Sequence, residues 1–351
     1  MTVALTRRRV LGLSAAVLGG RVCGWTPGGP SRRQRRIGIL SSGAPPPPEV
    51  IGAFREGMLD EGFVYGSDYL IEVRAAEGSN DRLVTLAREL VGLDVEVLVA
   101  SSTGPTQAAR AVSSSVPIVM LASHDPVEAG VVASLAQPGG NVTGQSLMAG
   151  ELMPKQLEIL GEASPIGRLA YLTPHVPSPA PGYPSVTDVF ERSMRERATA
   201  LGIEVRTFTM RDASNVDPVL ADVAAEAVDA FYVIESPFWF VDLPVASAAG
   251  RQRPIDRVVQ LALSRRLPSI SGLRLYAQQG LLISYGDARP GVELFRSVTR
   301  FVARILRGAK PVDLPVERPT RFELGLNAKT ASAIGLTLPR TLLDRADVII
   351  R

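Results

Sequence analysis

Val95-Glu96-Val97-Leu98-Val99-Ala100-Ser101-Ser102-Thr103-Gly104-Pro105 carries a strand, a polar loop and a helix start in one short stretch. Val95 to Ala100 is almost wholly apolar, which suits a strand buried on both faces rather than one with a wet side. Ser101 to Gly104 cannot continue such a strand. Pro105 suits the first turn of a helix, where its missing N–H has no partner to lose, and the helix is expected to run to about Val112.

The same unit recurs on either side. Upstream, Ile37-Gly38-Ile39-Leu40 reads as a strand ending in Ser41-Ser42-Gly43, and Pro45 to Pro48 hold off the next helix until Glu49. Ile51, Phe54, Met58 and Leu59 then fall at helical spacing before Gly62, and Tyr69 to Val73 reads as a second strand. Asn80 or Asp81 can cap a helix bearing Leu83, Leu86, Ala87 and Leu90. Downstream, Pro117 to Leu121 is a strand ending in Ala122-Ser123-His124-Asp125-Pro126. A helix is expected over Val127 to Leu135, and Pro138-Gly139-Gly140 turns the chain towards Gly144. Alternating strands and helices imply a parallel sheet with helices on both faces, and right-handed crossovers bring the loops after the strands to one edge.

The pattern then repeats. Leu169 to Leu172, Ile203 to Thr207, Ala230 to Ile234 and Pro268 to Ile270 answer the strands of the first half, at an offset of 132 residues for Ile39/Tyr171 and 134 for Val99/Val233. Two α/β lobes of like topology are the simplest account, one large doubly wound sheet the alternative. Later segments read as a strand at Leu281 to Gly286, a helix bearing Val292, Phe295, Val298, Val302 and Leu306, and an extended stretch over 313–326. The expected division is 36–144 plus about 284–312 for the first lobe, and 145–283 plus about 313–351 for the second.

Residues 1–30 read as an export signal. Thr6-Arg7-Arg8-Arg9 stands before an apolar run from Val10 to Gly20, no acid precedes Glu49, and the paired arginines suggest the twin-arginine route. The run is about half the ~20 residues that a membrane helix needs. No small-x-small triplet precedes Trp25, and Arg21-Val22 before Cys23 do not fit a lipoprotein signal. A soluble exported, periplasmic protein is therefore expected.

Charge supports the partition. The chain of 351 residues has 38 basic and 35 acidic residues, but eight of the basic ones precede Ile37, leaving 30 against 35 thereafter. The basic pI of 9.2 thus comes from the N-terminus and gives no reason to expect nucleic acid. Cys23 is the single cysteine and lies in the leader, so disulfides, thiolate metal sites and cysteine nucleophiles are not expected beyond it. His124 and His175 are the two histidines, too few for a histidine-rich metal centre. No cofactor is expected.

Searching for catalytic motifs gives no G-x-S-x-G elbow, no phosphate-binding G-x-x-x-x-G-K-[ST] loop and no H-E-x-x-H helix. The positive signal is where the polar residues fall. Ser41, Ser42, Ser102, Thr103, His124 and Asp125 end strands of the first lobe, and Thr173, Glu235 and Ser236 end strands of the second. Hydroxyls, carboxylates and free N–H groups at the C-terminal ends of strands suit a small polar ligand. Serine, threonine and aspartate also favour loops and caps for their own sake, and Asp125 in particular could cap the helix expected to begin near Pro126-Val127. Phe238-Trp239-Phe240 could stack on a ligand ring or pack beneath a loop.

Several stretches resemble a known family: Arg36-Ile37-Gly38-Ile39-Leu40, Ala53-Phe54-Arg55-Glu56-Gly57-Met58, Asp125-Pro126-Val127, Leu135-Ala136-Gln137-Pro138-Gly139-Gly140-Asn141-Val142-Thr143-Gly144, Ser284-Tyr285-Gly286, Pro319-Thr320-Arg321-Phe322-Glu323-Leu324 and Ala333-Ile334-Gly335-Leu336-Thr337-Leu338-Pro339. Together they look like the ABC-transporter substrate-binding proteins of the tryptophan/tyrosine type, over about 36–351. The resemblance implies the type I periplasmic binding fold, with two lobes joined by a three-strand hinge. It also implies a ligand closed between the lobes, here amino-acid-like or aromatic, and delivery to a membrane permease. Tyr285 joins the expected ligand-binding residues, and Gly144, Tyr285 and the segment around Pro315 mark the expected hinge. Gly144→Pro is expected to block closure while leaving both lobes folded. A monomer is expected. Where relatives have a short N-P loop, this chain has Thr173-Pro174-His175-Val176-Pro177-Ser178-Pro179-Ala180-Pro181-Gly182-Tyr183-Pro184, a segment expected to border the cleft. The rival readings are an exported α/β hydrolase using His124 and Asp125, and a ligand-sensing domain for a membrane kinase.

Overall fold

The computed structural model describes residues 34–243 and 252–351; the expected export signal lies outside them. The first half runs β1 (Arg35–Ser41), α1 (Pro48–Asp60), β2 (Tyr69–Ala75), α2 (Leu83–Gly92), β3 (Val97–Ala100), α3 (Thr103–Val112), β4 (Ile118–Ser123) and β5 (Val142–Ser146). These strands form a five-stranded, wholly parallel sheet in the order β2-β1-β3-β4-β5.

The second half continues with α4 (Ala149–Ala163), β6 (Arg168–Pro174), α5 (Val186–Thr199), β7 (Glu204–Met210), α6 (Val216–Ala225), β8 (Ala230–Val233), α7 (Pro254–Arg265), β9 (Ser269–Ser271), α8 (Arg274–Gln278) and β10 (Ile283–Asp287). Then come α9 (Gly291–Leu306), β11 (Phe322–Asn327), α10 (Ala328–Ile334), α11 (Arg340–Leu343) and β12 (Val348–Ile350). The second sheet has seven strands in the order β12-β11-β10-β9-β8-β6-β7. It departs from the all-parallel expectation at one place, where β11 pairs antiparallel with β10. The reason is connectivity: β11 enters this sheet after the chain has visited the other one and returned.

Each sheet is covered on both faces, as strands apolar on both sides require. On the first sheet, Phe54 and Met58 of α1 join Leu294, Val298, Phe301 and Val302 of α9 on one face. Leu83, Leu86 and Leu90 of α2 join Ala108 of α3 on the other. Each of the larger of these side chains contributes about 1.5–3 kcal/mol of burial free energy. On the second sheet, α4 and α5 supply Met153, Leu157, Phe190 and Met194 to one face, while α6 and α7 supply Leu220, Val223 and Val258 to the opposite core. The molecule is thus an α/β protein of two lobes.

One local expectation differs, and one open alternative is decided. Residues 127–135 form turns instead of a helix, and Gln107 Nε2 donates to the carbonyl oxygen of Ala129 at 3.0 Å. Gly130 and the Pro138-Gly139-Gly140 turn leave too short a run for a helix, since nucleation is costly. Phe238 and Trp239 are fully buried in the second lobe, ring centroids 5.3 Å apart, and Trp239 Nε1 donates to the Ile234 carbonyl oxygen at 2.6 Å. They pack beneath the loop after β8.

The chain passes between the sheets three times: after β5, after β10, and between α9 and β11. These passages are tied together. Glu317 N donates to Gly144 O at 2.8 Å, Ser146 N to Glu317 O at 2.9 Å, and Ala288 N to Arg321 O at 3.1 Å. Gly144 has φ +129°, and a Cβ there would lie 2.2 Å from the Met120 carbonyl oxygen. Pro315 is exposed between the buried Leu314 and Val316. The Gly144→Pro expectation therefore needs correcting. Proline cannot adopt that φ, and its ring carbons would collide with β4, so the substitution breaks the first sheet instead of stiffening an intact molecule.

Candidate functional site

The strand-end loops of the two sheets face each other. β3 ends at Ala100 and α3 begins at Thr103, so Ser101, Ser102 and Thr103 lie at the N-terminus of a ten-residue helix. β4 delivers His124, and β8 delivers Glu235 from the opposite lobe. Ser42, Ser102, Thr103, His124, Thr173, Glu235 and Ser236 line a common cavity. In this structure the lobes are drawn so close that it has room for about one water molecule.

Contacts across the cleft are specific. His124 Nε2 lies 2.7 Å from the main-chain oxygen of Glu235 and 3.5 Å from its Oε2. Because a carbonyl can only accept, Nε2 carries the proton and Nδ1 is left as the acceptor facing Thr103 Oγ1 at 3.4 Å. Burial lowers the His124 pKa to about 4, against the opposing pull of the Glu235 carbonyl and of Asp125, so the ring is neutral near pH 7.

Glu235 is the unusual group. It is 5 % exposed, and neither carboxylate oxygen has a hydrogen-bond partner. Burial pushes its pKa up to about 7; Ser271 and Gly272 lie close enough to offset part of the rise without making good hydrogen bonds. Gly272 is what admits the carboxylate, for a Cβ there would sit 1.9 Å from Glu235 Oε1. Tyr171 and Tyr232 lie nearby in β6 and β8, their hydroxyls pushed well above the usual range chiefly by burial. Tyr232 spends its proton on Gln156 Oε1 at 2.5 Å, and Gln156 Nε2 donates to the Tyr285 carbonyl oxygen at 2.7 Å.

Not every expected residue reaches this cavity. Ser41 Oγ turns back into its own loop, donating to Ala44 O and accepting from Gly43 N. Asp125 Oδ1 accepts from Val127 N at 3.2 Å and Glu128 N at 3.0 Å, so its carboxylate holds the turn after Pro126 and does not line the cavity. Tyr285 sits in β10 with its ring against Phe322 at 6.4 Å, outside the cavity lining. In each case a nearer backbone or ring partner competes successfully for the side chain. Asp125 facing the backbone also dissolves the His124–Asp125 base pair that a hydrolase would need.

Sequence reading missed Asn80, Thr187 and Phe190, all of which line the cavity, while Val176 lines it as part of the proline-rich segment expected to border the cleft. Asn80 looked like a helix cap, but its Nδ2 donates across the cleft to His175 O at 2.7 Å. Thr187 and Phe190 lie on α5 and read as ordinary helix positions.

The description "ABC transporter substrate binding protein" belongs to the family model that matches residues 45–350. The chain belongs to this family. The resemblance read from the sequence motifs is therefore correct. The chain is 24 % identical over 313 residues to a tyrosine-binding protein of Clostridioides difficile strain R20291, covering 87 % of this chain and 82 % of that one. A conserved domain protein from Vibrio cholerae is similar in structure, with TM-score 0.72, 25 % identity, and coverage of 90 % of this chain and 100 % of that one. An ABC domain from Streptococcus pneumoniae in complex with L-Trp gives TM-score 0.71 at 22 % identity with the same coverage. As a substrate-binding protein of this family, the chain binds a small-molecule ligand. Among the described residues no helix is long and apolar enough to cross a membrane.

Proposed function

We propose that this substrate-binding protein is exported, and that it captures an amine-bearing small molecule, amino-acid-like or aromatic, for an ABC permease. One observation carries the reading: a buried carboxylate, Glu235, stands at the cleft without any hydrogen-bond partner. A buried acid of this kind is costly unless something supplies donors to it. An ammonium group would do so. Opposite it, the N-terminus of α3 with Ser102 and Thr103 favours a carboxylate, because free N–H groups and the helix dipole point there. The two poles together suit a zwitterionic amino acid. The bound L-Trp of one relative and the tyrosine in the name of another support this choice.

The cavity is too small for an amino acid with the lobes as they stand, so entry requires them to part. The three tied passages between the sheets are where the dihedral change would be absorbed: around Gly144, around Pro315, and just after β10 at Asp287, since the expected Tyr285 is itself paired with Leu324 inside the second sheet. A ligand touching both lobes stabilises the closed arrangement by that difference in contact alone, and about 5.5 kcal/mol would move a 1:99 balance to 99:1. Catalysis is no part of the reading, since His124 is neutral and occupied by Glu235 O, and Asp125 is held elsewhere.

Calorimetric titration with L-tyrosine and L-tryptophan, alongside small-angle scattering, tests the proposal. Binding with a fall in radius of gyration is expected; binding without compaction would reject the clamp, and no binding of either would reject the ligand class. Export is tested separately: replacing Arg7 and Arg8 with lysine is expected to trap the precursor, and unchanged export would reject the twin-arginine route.

A further inference from the structure

The proline-rich loop after β6 does more than border the cleft. Val176 N donates to Thr187 Oγ1 at 2.7 Å and Val176 O accepts from Ser185 Oγ at 3.1 Å, so this residue is fixed at both ends of its peptide unit. Its side chain projects onto α3 of the other lobe, where a Cβ on Gly104 would lie 2.7 Å from Val176 Cγ1. Beyond it lies a second cavity of about 280 Å³, lined by Leu83, Val84, Ala108, Pro177 and Pro179. Asn80, Gly104 and Val176 line both cavities, so Val176 is the partition between them. At that partition Asn80 Oδ1 is buried without a partner, its Nδ2 already spent on His175 O.

We propose that this outer cavity is a second subsite of the cleft, holding an apolar ligand end that is tipped with a hydrogen-bond donor. The inference rests on the reading of Glu235 as the ammonium site. Apolar walls favour a ring or alkyl chain, and the unpaired Asn80 acceptor favours an O–H or N–H on it, as in a phenol or an indole. Asp81 at the rim disfavours an anionic end. The subsite is made by the long loop, and Val176 must shift as the ligand passes it.

The probes are L-tyrosine, L-phenylalanine and L-alanine, titrated into the wild-type protein and into Val84→Trp, which fills the outer cavity without touching the inner one. Val84→Trp is expected to weaken L-tyrosine about tenfold or more while changing L-alanine by less than about twofold, and wild-type protein is expected to prefer L-tyrosine to L-phenylalanine by about tenfold. Should Val84→Trp not fold, Pro179→Trp replaces it, on the loop side of the outer cavity and absent from the inner one; it is expected to weaken L-tyrosine about tenfold or more while changing L-alanine by less than about twofold. Unchanged L-tyrosine affinity in the variant that folds, or an equal loss for both probes, overturns the subsite alone. A wild-type protein that binds none of the three overturns the ammonium site and this inference together.

Discussion

His124 and Glu235 come from different sheets, yet His124 Nε2 lies 2.7 Å from the Glu235 carbonyl oxygen and 3.5 Å from its carboxylate. The pair closes the cleft while keeping both groups in their uncharged forms near pH 6, because burial moves the histidine down and the acid up. Each shift makes stability depend on pH, and the two dependences oppose each other.

For Glu235 the folded pKa of about 7 lies above the ordinary 4.5, so between these values the folded state holds a proton that the unfolded state has lost. Stability from this group falls as pH rises through that window. For His124 the folded value of about 4 lies below 6.5, the unfolded state holds the extra proton, and stability rises with pH between them. The wild-type curve should therefore be nearly flat where the windows overlap. His124→Asn should fall in stability as pH rises, and Glu235→Gln should gain, each with a slope of up to about 1.4 kcal/mol per pH unit. Denaturant titrations across pH 4 to 7 check this, and like slopes in the two variants would refute it.

If Glu235 meets a ligand ammonium, it must lose its proton to do so. L-tyrosine affinity should then fall as pH drops below about 7, by up to tenfold per unit, with proton release visible as a buffer-dependent binding enthalpy. Glu235→Gln should remove that pH dependence and weaken binding by about 2–5 kcal/mol. Retained affinity would exclude Glu235 as the ammonium partner.

Asp125 holds a turn by the same side-chain-to-backbone bonds that a helix cap makes. Asp125→Ala should cost about 1 kcal/mol of stability and leave ligand affinity intact. Calorimetry beside a melting curve decides it, and a loss of affinity at unchanged stability would contradict the geometry.

Gly144→Ala tests the backbone at the first passage. With φ +129° and a Cβ contact of 2.2 Å to Met120 O, alanine should destabilise by about 3 kcal/mol or more. A melting temperature equal to wild type would show that β5 is not held as described.

What the sequence determined by itself was the alternation of elements and its repetition. Val95 to Ala100 is apolar on both faces and must be covered on both, whatever surrounds it, and Ser101 to Gly104 must end it. The family motifs and the strand-end positions of His124 and Glu235 were legible for the same reason: they depend on neighbours a few residues away. Tertiary structure decided which of those strand-end groups meet. Asp125 and Ser41 had backbone partners within three residues, and such local hydrogen bonds form at little entropic cost, so they left the cleft. Glu235 and His124 had no such local partner for their side chains and found each other across 111 residues of chain. The sequence placed Val176 only within a loop at the border of the cleft and left Asn80 a helix cap, because their particular contacts exist only where the proline-rich loop of one lobe lies against α2 and α3 of the other.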